Sequence, residues 1–215
     1  NDYVELPADA LGNLSTTDFS ISAWIIILDA TNEFDVIVGK RADSNGSGFQ
    51  FDVRDTGGEN DGAYPFGLGV SLEGSALKAL ETTTAIQKNV YTHVALVVDR
   101  DSSMKLFING KEEATTTINT TNQGSEINVS NKIGIGAKIR NDGTNIDSSF
   151  NGYIDEVRFY RRALLNTEVN QLYLNPDGIT DTKITDVKIS LNNPLNVLPF
   201  DNVYKTTSTE WTNWY

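Results

Sequence analysis

The chain has 215 residues, no cysteine and a formal net charge of −12, which suits one large domain or a domain of about 180 residues with an appendage. The missing cysteines exclude disulfides and thiolate metal sites but leave an extracellular location open, because a core of this size needs no staples. The acidic surplus argues against nucleic acid, whose phosphates would be repelled, and the longest apolar run, residues 21–28, is far short of the ~20 residues that span a bilayer.

In chain order, Tyr3-Val4-Glu5-Leu6 reads as a first strand stopped by Pro7. Asn1 opens almost directly on that strand with no leader before it, so the numbering is expected to start inside a longer or processed precursor. Phe19, Ile21, Ala23, Ile25 and Ile27 alternate with Ser20, Ser22, Trp24 and Ile26. That pattern predicts a long strand with one apolar and one mixed face. Strand signals follow at 36–40, 48–54, 66–72, 77–83, 91–99 and 104–109, separated by loops such as DSNGSG, DTGGENDG and DRDSS. Asn109-Gly110 offers the positive-φ pair that a two-residue type I′ hairpin requires. Short strands at this spacing predict an all-β fold, a two-sheet antiparallel β-sandwich, and not alternating βαβ units.

The stretch FNGYIDEVRFYRRALLNTEVNQLY, residues 150–173, changes period part-way. Tyr153, Asp155, Val157 and Phe159 are expected on one strand face, with Ile154, Glu156 and Arg158 on the other. Asn166 then reads as an N-cap, Glu168 lies in the first turn, and Leu165, Val169 and Leu172 recur at helical spacing. One short C-terminal helix is therefore expected, stopped by Asn175-Pro176-Asp177-Gly178. The domain is expected over 1–178. Residues 179–215 form a C-terminal extension: an arm, a linker strand or a partner-contacting tail. It ends on Trp211, Trp214 and Tyr215, which are costly to leave in water.

This closing stretch resembles the end of laminin-G-like (concanavalin A-like lectin/glucanase) jelly rolls, whose pattern is close to G-x-I-D-E-V-R-x-Y-x-R-A-L. Here that pattern reads Gly152, Ile154, Asp155, Glu156, Val157, Arg158, Tyr160, Arg162, Ala163 and Leu164. NDYVELP and DFSISAWI are similar to the family's opening strands. Tyr91-Thr92-His93-Val94-Ala95 resembles its W-x-H-V-A strand, and Leu106-Phe107-Ile108-Asn109-Gly110-Lys111 its L-Y-V-N-G-K hairpin. The four motifs occur in the family's order over about 1–174. The resemblance implies a jelly roll, with the first and last strands paired. It also implies a structural Ca²⁺ held by Asp155 and Asp2, with backbone carbonyls near Gly152 as further ligands; the alternative is that Asp155 accepts hydrogen bonds from a neighbouring turn or pairs with Arg158 or Arg162.

Laminarinase-like hydrolases share this jelly roll and need two carboxylates about 5 Å apart, written E-x-D-x-x-E on one strand face. The nearest match, Glu59-Asn60-Asp61, has Tyr64 in the third position and sits in a glycine-rich loop. Asp155 and Glu156 are adjacent and so point to opposite strand faces. His93 is the single histidine, which excludes Ser-His-Asp and multi-histidine metal arrangements within the chain; its ring is expected to be packed and hydrogen-bonded. Arg162 is expected to neutralise Asp155 or to lay its stem beside the helix. Asn141-Asp142-Gly143-Thr144-Asn145-Ile146-Asp147 reads as a solvated, oxygen-rich turn.

Gln50, Asp52 and Arg54 share the polar face of one strand. Gly67 and Gly69, and Gly134 and Gly136, leave open floor on others. If these strands share a sheet they form a groove with Tyr64 at its rim. A ligand or a neighbouring backbone can approach such a floor. The expected role is a non-catalytic binding or adhesion module that recognises carbohydrate, on the outside of a cell or on a cell or virion surface. A structural assembly module of a surface layer, filament or virion is the competing expectation, with other domains or copies contacted through the tail. A glycoside hydrolase comes third. Neither nucleic-acid binding nor membrane insertion is expected.

Overall fold

The computed structural model describes residues 2–15, 17–28, 34–42, 47–55, 66–73, 77–118, 127, 129–141, 143 and 145–176. Tyr64, the Glu59–Asp61 loop and the extension 179–215 lie outside them. The strands are β1 (Val4–Leu6), β2 (Phe19–Ile27), β3 (Phe34–Arg41), β4 (Gly48–Asp55), β5 (Phe66–Glu73), β6 (Leu77–Ile86) and β7 (Thr92–Asp99). They continue as β8 (Ser103–Ile108), β9 (Lys111–Thr117), β10 (Ile133–Ile135), β11 (Lys138–Ile139), β12 (Ile146–Asp147) and β13 (Gly152–Tyr160), followed by helix α1 (Asn166–Leu174). One sheet has six strands in the order β1-β10-β3-β4-β5-β6, the other five in the order β13-β2-β7-β8-β9, and β11 pairs with β12. Neighbours pair antiparallel throughout.

Period-two alternation builds the core. Phe49, Phe51 and Val53 of β4 and Leu68, Val70 and Leu72 of β5 point inward from one sheet. Ile21, Ala23 and Ile25 of β2 and Val94, Leu96 and Val98 of β7 meet them from the other. Each Val, Leu, Ile or Phe among them contributes about 1.5–3 kcal/mol on burial. The mixed face of β2 is also covered, because α1 packs outside the five-stranded sheet. Val169 and Leu172 meet Ala95, Val97, Phe107, Tyr160 and Leu164 in a second, smaller cluster. Ser20 Oγ ties the strand to the entry of the helix, donating to the Arg162 carbonyl at 2.9 Å and accepting from the Leu164 N–H at 3.0 Å.

The β8–β9 hairpin forms as expected. Asn109 and Gly110 have φ of 49° and 75°, and Ile108 pairs with Lys111 across them. A side chain at Gly110 would come within 2.9 Å of Tyr173 Cβ and 3.0 Å of Asn170 Cα. The turn therefore doubles as a seat for α1.

Three expectations are corrected. The first strand pairs with β10 and the last with β2, so β1 and β13 lie in different sheets. In β13 the register shifts between Asp155 and Arg158, with Glu156 at φ 49°. This bulge adds one residue, so Tyr153 and Asp155 face outward while Ile154, Val157 and Phe159 reach the core. The N-cap of α1 is Leu165, whose N–H donates to Glu168 Oε2 at 2.8 Å. Asn166 instead donates its side-chain amide to Glu112 Oε2 at 2.8 Å.

Candidate ligand-binding face

The strands carrying Gln50, Asp52, Arg54, Gly69 and Gly134 do share the six-stranded sheet. Gln50 lies beside Ser71, Asp52 beside Gly69 and Arg54 beside Gly67, and Gly69 pairs onward with Glu81. With Phe49, Phe51 and Val53 inward, these polar groups all sit on the outward face. Arg54 Nε donates to Asp52 Oδ1 at 2.6 Å, Arg54 Nη2 to Ser71 Oγ at 2.8 Å, and Gln50 Nε2 to Asp52 Oδ2 at 2.9 Å. Glu81 Oε2 stands 3.9 Å from Arg54 Nη1, and Arg41 Nη2 donates to Glu73 Oε2 at 2.8 Å on the same face. Phe34 lies under the Arg54 guanidinium at 5.3 Å.

The open floor expected beside these residues is already occupied. Gln50 is 2% exposed and Asp52 0%. A Cβ at Gly69 would lie 2.2 Å from Arg54 Nε, so the glycine makes room for that arginine. At Gly134 the same atom would lie 2.0 Å from the Ala137 carbonyl. There a neighbouring backbone fills the space. Burial pushes the Asp52 carboxyl above the usual carboxylate range, and Arg54 opposes that shift most strongly. The accessible groups are instead Arg41, Glu73 and Glu81 around the Arg54–Asp52 pair, with Leu77 beside Glu73.

The calcium candidates fall apart in space. Asp2 lies by Gly136, where a Cβ would sit 3.4 Å from the Asp2 carbonyl and 3.8 Å from Ile154 Cδ1 on the core side of β13. Asp155 points to the other side, opposite Trp24. Asp155 Oδ1 accepts the Glu156 N–H at 2.8 Å, and the Tyr91 hydroxyl also bonds to this carboxylate. Gly152 is required for packing, since a Cβ there would meet the Ile26 carbonyl at 2.0 Å. Arg158 pairs with Glu156 and with the Pro176 carbonyl. Arg162 forks onto Glu168 with two 2.7 Å bonds. In the oxygen-rich turn, Asp147 faces Lys138 at 3.9 Å and Arg140 at 3.5 Å. Among the described residues no three His, Cys, Asp or Glu side chains gather to hold a metal ion. None of the described helices is long and apolar enough to cross a membrane.

The family model of the concanavalin A-like lectin/glucanases superfamily (Laminin_G_3) matches residues 1–170. The chain belongs to that superfamily. Comparison with curated proteins finds no match. Among solved structures, this concanavalin A-like sandwich is similar to a candidate carbohydrate-binding protein from Bacteroides ovatus, with 18% identity and a TM-score of 0.62. That match covers 97% of this chain and 52% of the other. It is also similar to the Ruminococcus gnavus IT-sialidase CBM40 bound to α2,3-sialyllactose, with 18% identity, a TM-score of 0.57, and coverage of 80% and 97%. Domain 4 of an extracellular GH43 arabinanase from Geobacillus stearothermophilus, in complex with arabinotriose, aligns with 23% identity and a TM-score of 0.51, covering 80% and 72%. At these identities the likeness shows the fold.

The superfamily's tryptophan and histidine strands meet on the outward face of the five-stranded sheet. Trp24 stacks on Tyr91 with centroids 4.6 Å apart and on Tyr173 of α1 at 5.8 Å, and meets the His93 ring edge-on at 5.4 Å. The His93 ring is packed as expected but not hydrogen-bonded: neither ring nitrogen has a partner among the described residues. Burial, with Arg158 adding, lowers its pKa from 6.5 to about 3. The unfolded chain therefore binds a proton below pH 6.5 that the folded one refuses, and stability falls as pH drops from 6.5 towards 3. At pH 5 this costs about 2 kcal/mol. His93→Leu is expected to flatten that part of the wild-type stability profile in urea titrations between pH 7 and 4. An unchanged acid slope would sink the assignment.

Sequence reasoning missed Arg41, Ser71, Glu73 and Glu81. Ser71 and Glu73 were legible as the continuation of the Gly67–Gly69 face by steps of two. Arg41 and Glu81 were not, because only the inter-strand register brings them beside β4.

Proposed function

We propose that this module is a non-catalytic carbohydrate binder that acts outside the cell or on a cell or virion surface. The observation that carries it is the outward face of the six-stranded sheet. There Arg41, Glu73, Glu81 and Arg54 hold donors and acceptors side by side over a continuous antiparallel sheet. Polar groups held in this way match sugar hydroxyls without reorganisation on binding. Similar sandwiches that hold arabinotriose and sialyllactose support the same assignment. The test is a glycan-array screen of the full chain, followed by titration of hits against Glu81→Gln and Glu73→Gln. Loss of binding in those variants supports the face; undiminished binding moves the site elsewhere. Release of reducing ends from β-glucan, galactan or alginate, abolished in Glu156→Gln, would overturn the non-catalytic assignment.

A second reading rests on a different observation. Tyr153 of β13, Leu28 just past β2, and Val90 and Tyr91 just ahead of β7 are exposed apolar side chains at one end of the five-stranded sheet. Such a patch suits docking to another domain or copy in an assembly module. Concentration-dependent mass in sedimentation, lost on Tyr153→Lys, would favour it.

A structural Ca²⁺ is proposed on Asp155 and the Gly152 carbonyl, without Asp2. An ion binding only the folded state adds about 2.7 kcal/mol at a hundredfold excess over its Kd. Millimolar Ca²⁺ is then expected to raise the Tm of chelator-treated protein, and Asp155→Asn to remove the rise. Equal destabilisation of Asp155→Asn with and without calcium would leave Asp155 as an acceptor for Glu156 and Tyr91 only.

A further inference from the structure

We propose that the outward face of the six-stranded sheet selects uncharged oligosaccharides and discriminates against acidic ones. The inference rests on reading this face as the glycan site and concerns what that site takes.

Recognition of a sugar carboxylate calls for a guanidinium with two free N–H groups in fork geometry. Arg54 offers none. Its Nε serves Asp52, its Nη2 serves Ser71, and its Nη1 faces Glu81 at 3.9 Å. Asp52 and Gln50 sit beneath it with no exposure to speak of, so the arginine is held as the counterion of a buried carboxylate. Arg41 is engaged by Glu73 at 2.8 Å. Around Arg54 the described residues thus set two guanidiniums against three carboxylates, Asp52, Glu73 and Glu81.

Two of the carboxylates are also more accessible than Arg54. Glu81 is 35% exposed at its side chain, Glu73 and Arg41 22% each, and Arg54 11%. An approaching uronate or sialate meets these two negative charges before it reaches Arg54, and it meets Arg41 already paired with Glu73. A neutral sugar meets the same groups as acceptors for its hydroxyls, with the exposed Leu77 beside Glu73 for an apolar ring face. Selectivity of this kind comes from repelling the competitor as much as from contacts to the favoured ligand.

The test titrates the full chain with matched pairs: lactose against sialyllactose, and galacto-oligosaccharides against oligogalacturonides of equal length. The neutral member is expected to bind, and the acidic member ~10-fold or more weakly. Glu81→Gln and Glu73→Gln lie at the accessible rim, and circular dichroism checks that each folds. Each is expected to weaken binding of the neutral member and to narrow the gap between pair members by ~3-fold, because the acidic member is relieved of a repelling charge. An acidic member that binds as tightly as its neutral partner, with a ratio insensitive to both variants, overturns the selectivity and leaves glycan binding standing. Failure of every member of every pair to bind overturns both.

Discussion

Arg54→Ala is expected to destabilise the protein by about 3–5 kcal/mol, because it strands a buried carboxylate without its counterion. Asp52 has no exposed surface, and Arg54 supplies its 2.6 Å contact, leaving only the Gln50 amide at 2.9 Å. The loss has a pH signature. Burial already holds the Asp52 carboxyl above its ordinary range, with Arg54 as the largest opposing influence. Removing Arg54 raises it further. A folded-state pKa above the unfolded one means that the native state binds the extra proton, so stability is retained below the unfolded value of about 3.9 and lost as pH rises through the folded one. The deficit of Arg54→Ala relative to wild type should therefore shrink on acidification, read from urea midpoints between pH 7 and 4. Replacing both partners, Asp52→Leu with Arg54→Met, should recover most of the loss, since no charge is then left buried. A single-variant loss below about 1 kcal/mol, of the size of an exposed ion pair, would show that the pair is solvated and the burial misassigned.

Trp24→Ala is expected to cost a similar amount, about 3–5 kcal/mol, through the cavity left under the ring. Trp24 of β2 touches three rings: Tyr91 ahead of β7, His93 within it, and Tyr173 on α1. The Tyr91 phenol is pushed up to about 12 by burial, then by the Asp155 and Glu156 carboxylates. Loss of the indole should expose that phenol and bring its titration, followed by ultraviolet absorbance, back towards the ordinary value near ~10. Tyr153→Ala is the control on the same face. That side chain is 64% exposed and should change stability by no more than about 0.5 kcal/mol. Equal losses in the two variants would mean that the stack is not what fastens this face.

Some of this was written locally in the chain. The inward set of β2 follows from Phe19, Ile21, Ala23, Ile25 and Ile27 alone, because a pleated strand turns every second side chain to the same side. Asn109-Gly110 specified its turn because few other dipeptides accept two positive φ values. Glu168, Val169 and Leu172 specified the helix, one binding its start and two its buried side. Four spaced motifs marked the superfamily, and its model spans the same region.

The tertiary structure decided what depends on partners distant in sequence. Backbone ladders carry no sequence code, so whether β1 joined β13 or β10 was settled by how both sheets close over one core. The bulge at Glu156 let Ile154 and Val157 both reach that core, and so sent Asp155 to the outward face with Tyr91. Gln50 and Asp52 looked like solvent-facing polar residues from their alternation. Gly69 across the register instead gave Arg54 room to fold over Asp52, and Ser71 and Glu81 arrived from strands whose alignment no local pattern records. Periodicity assigns a side chain to a face; only the neighbouring strands decide whether that face meets water, a counterion or a ligand.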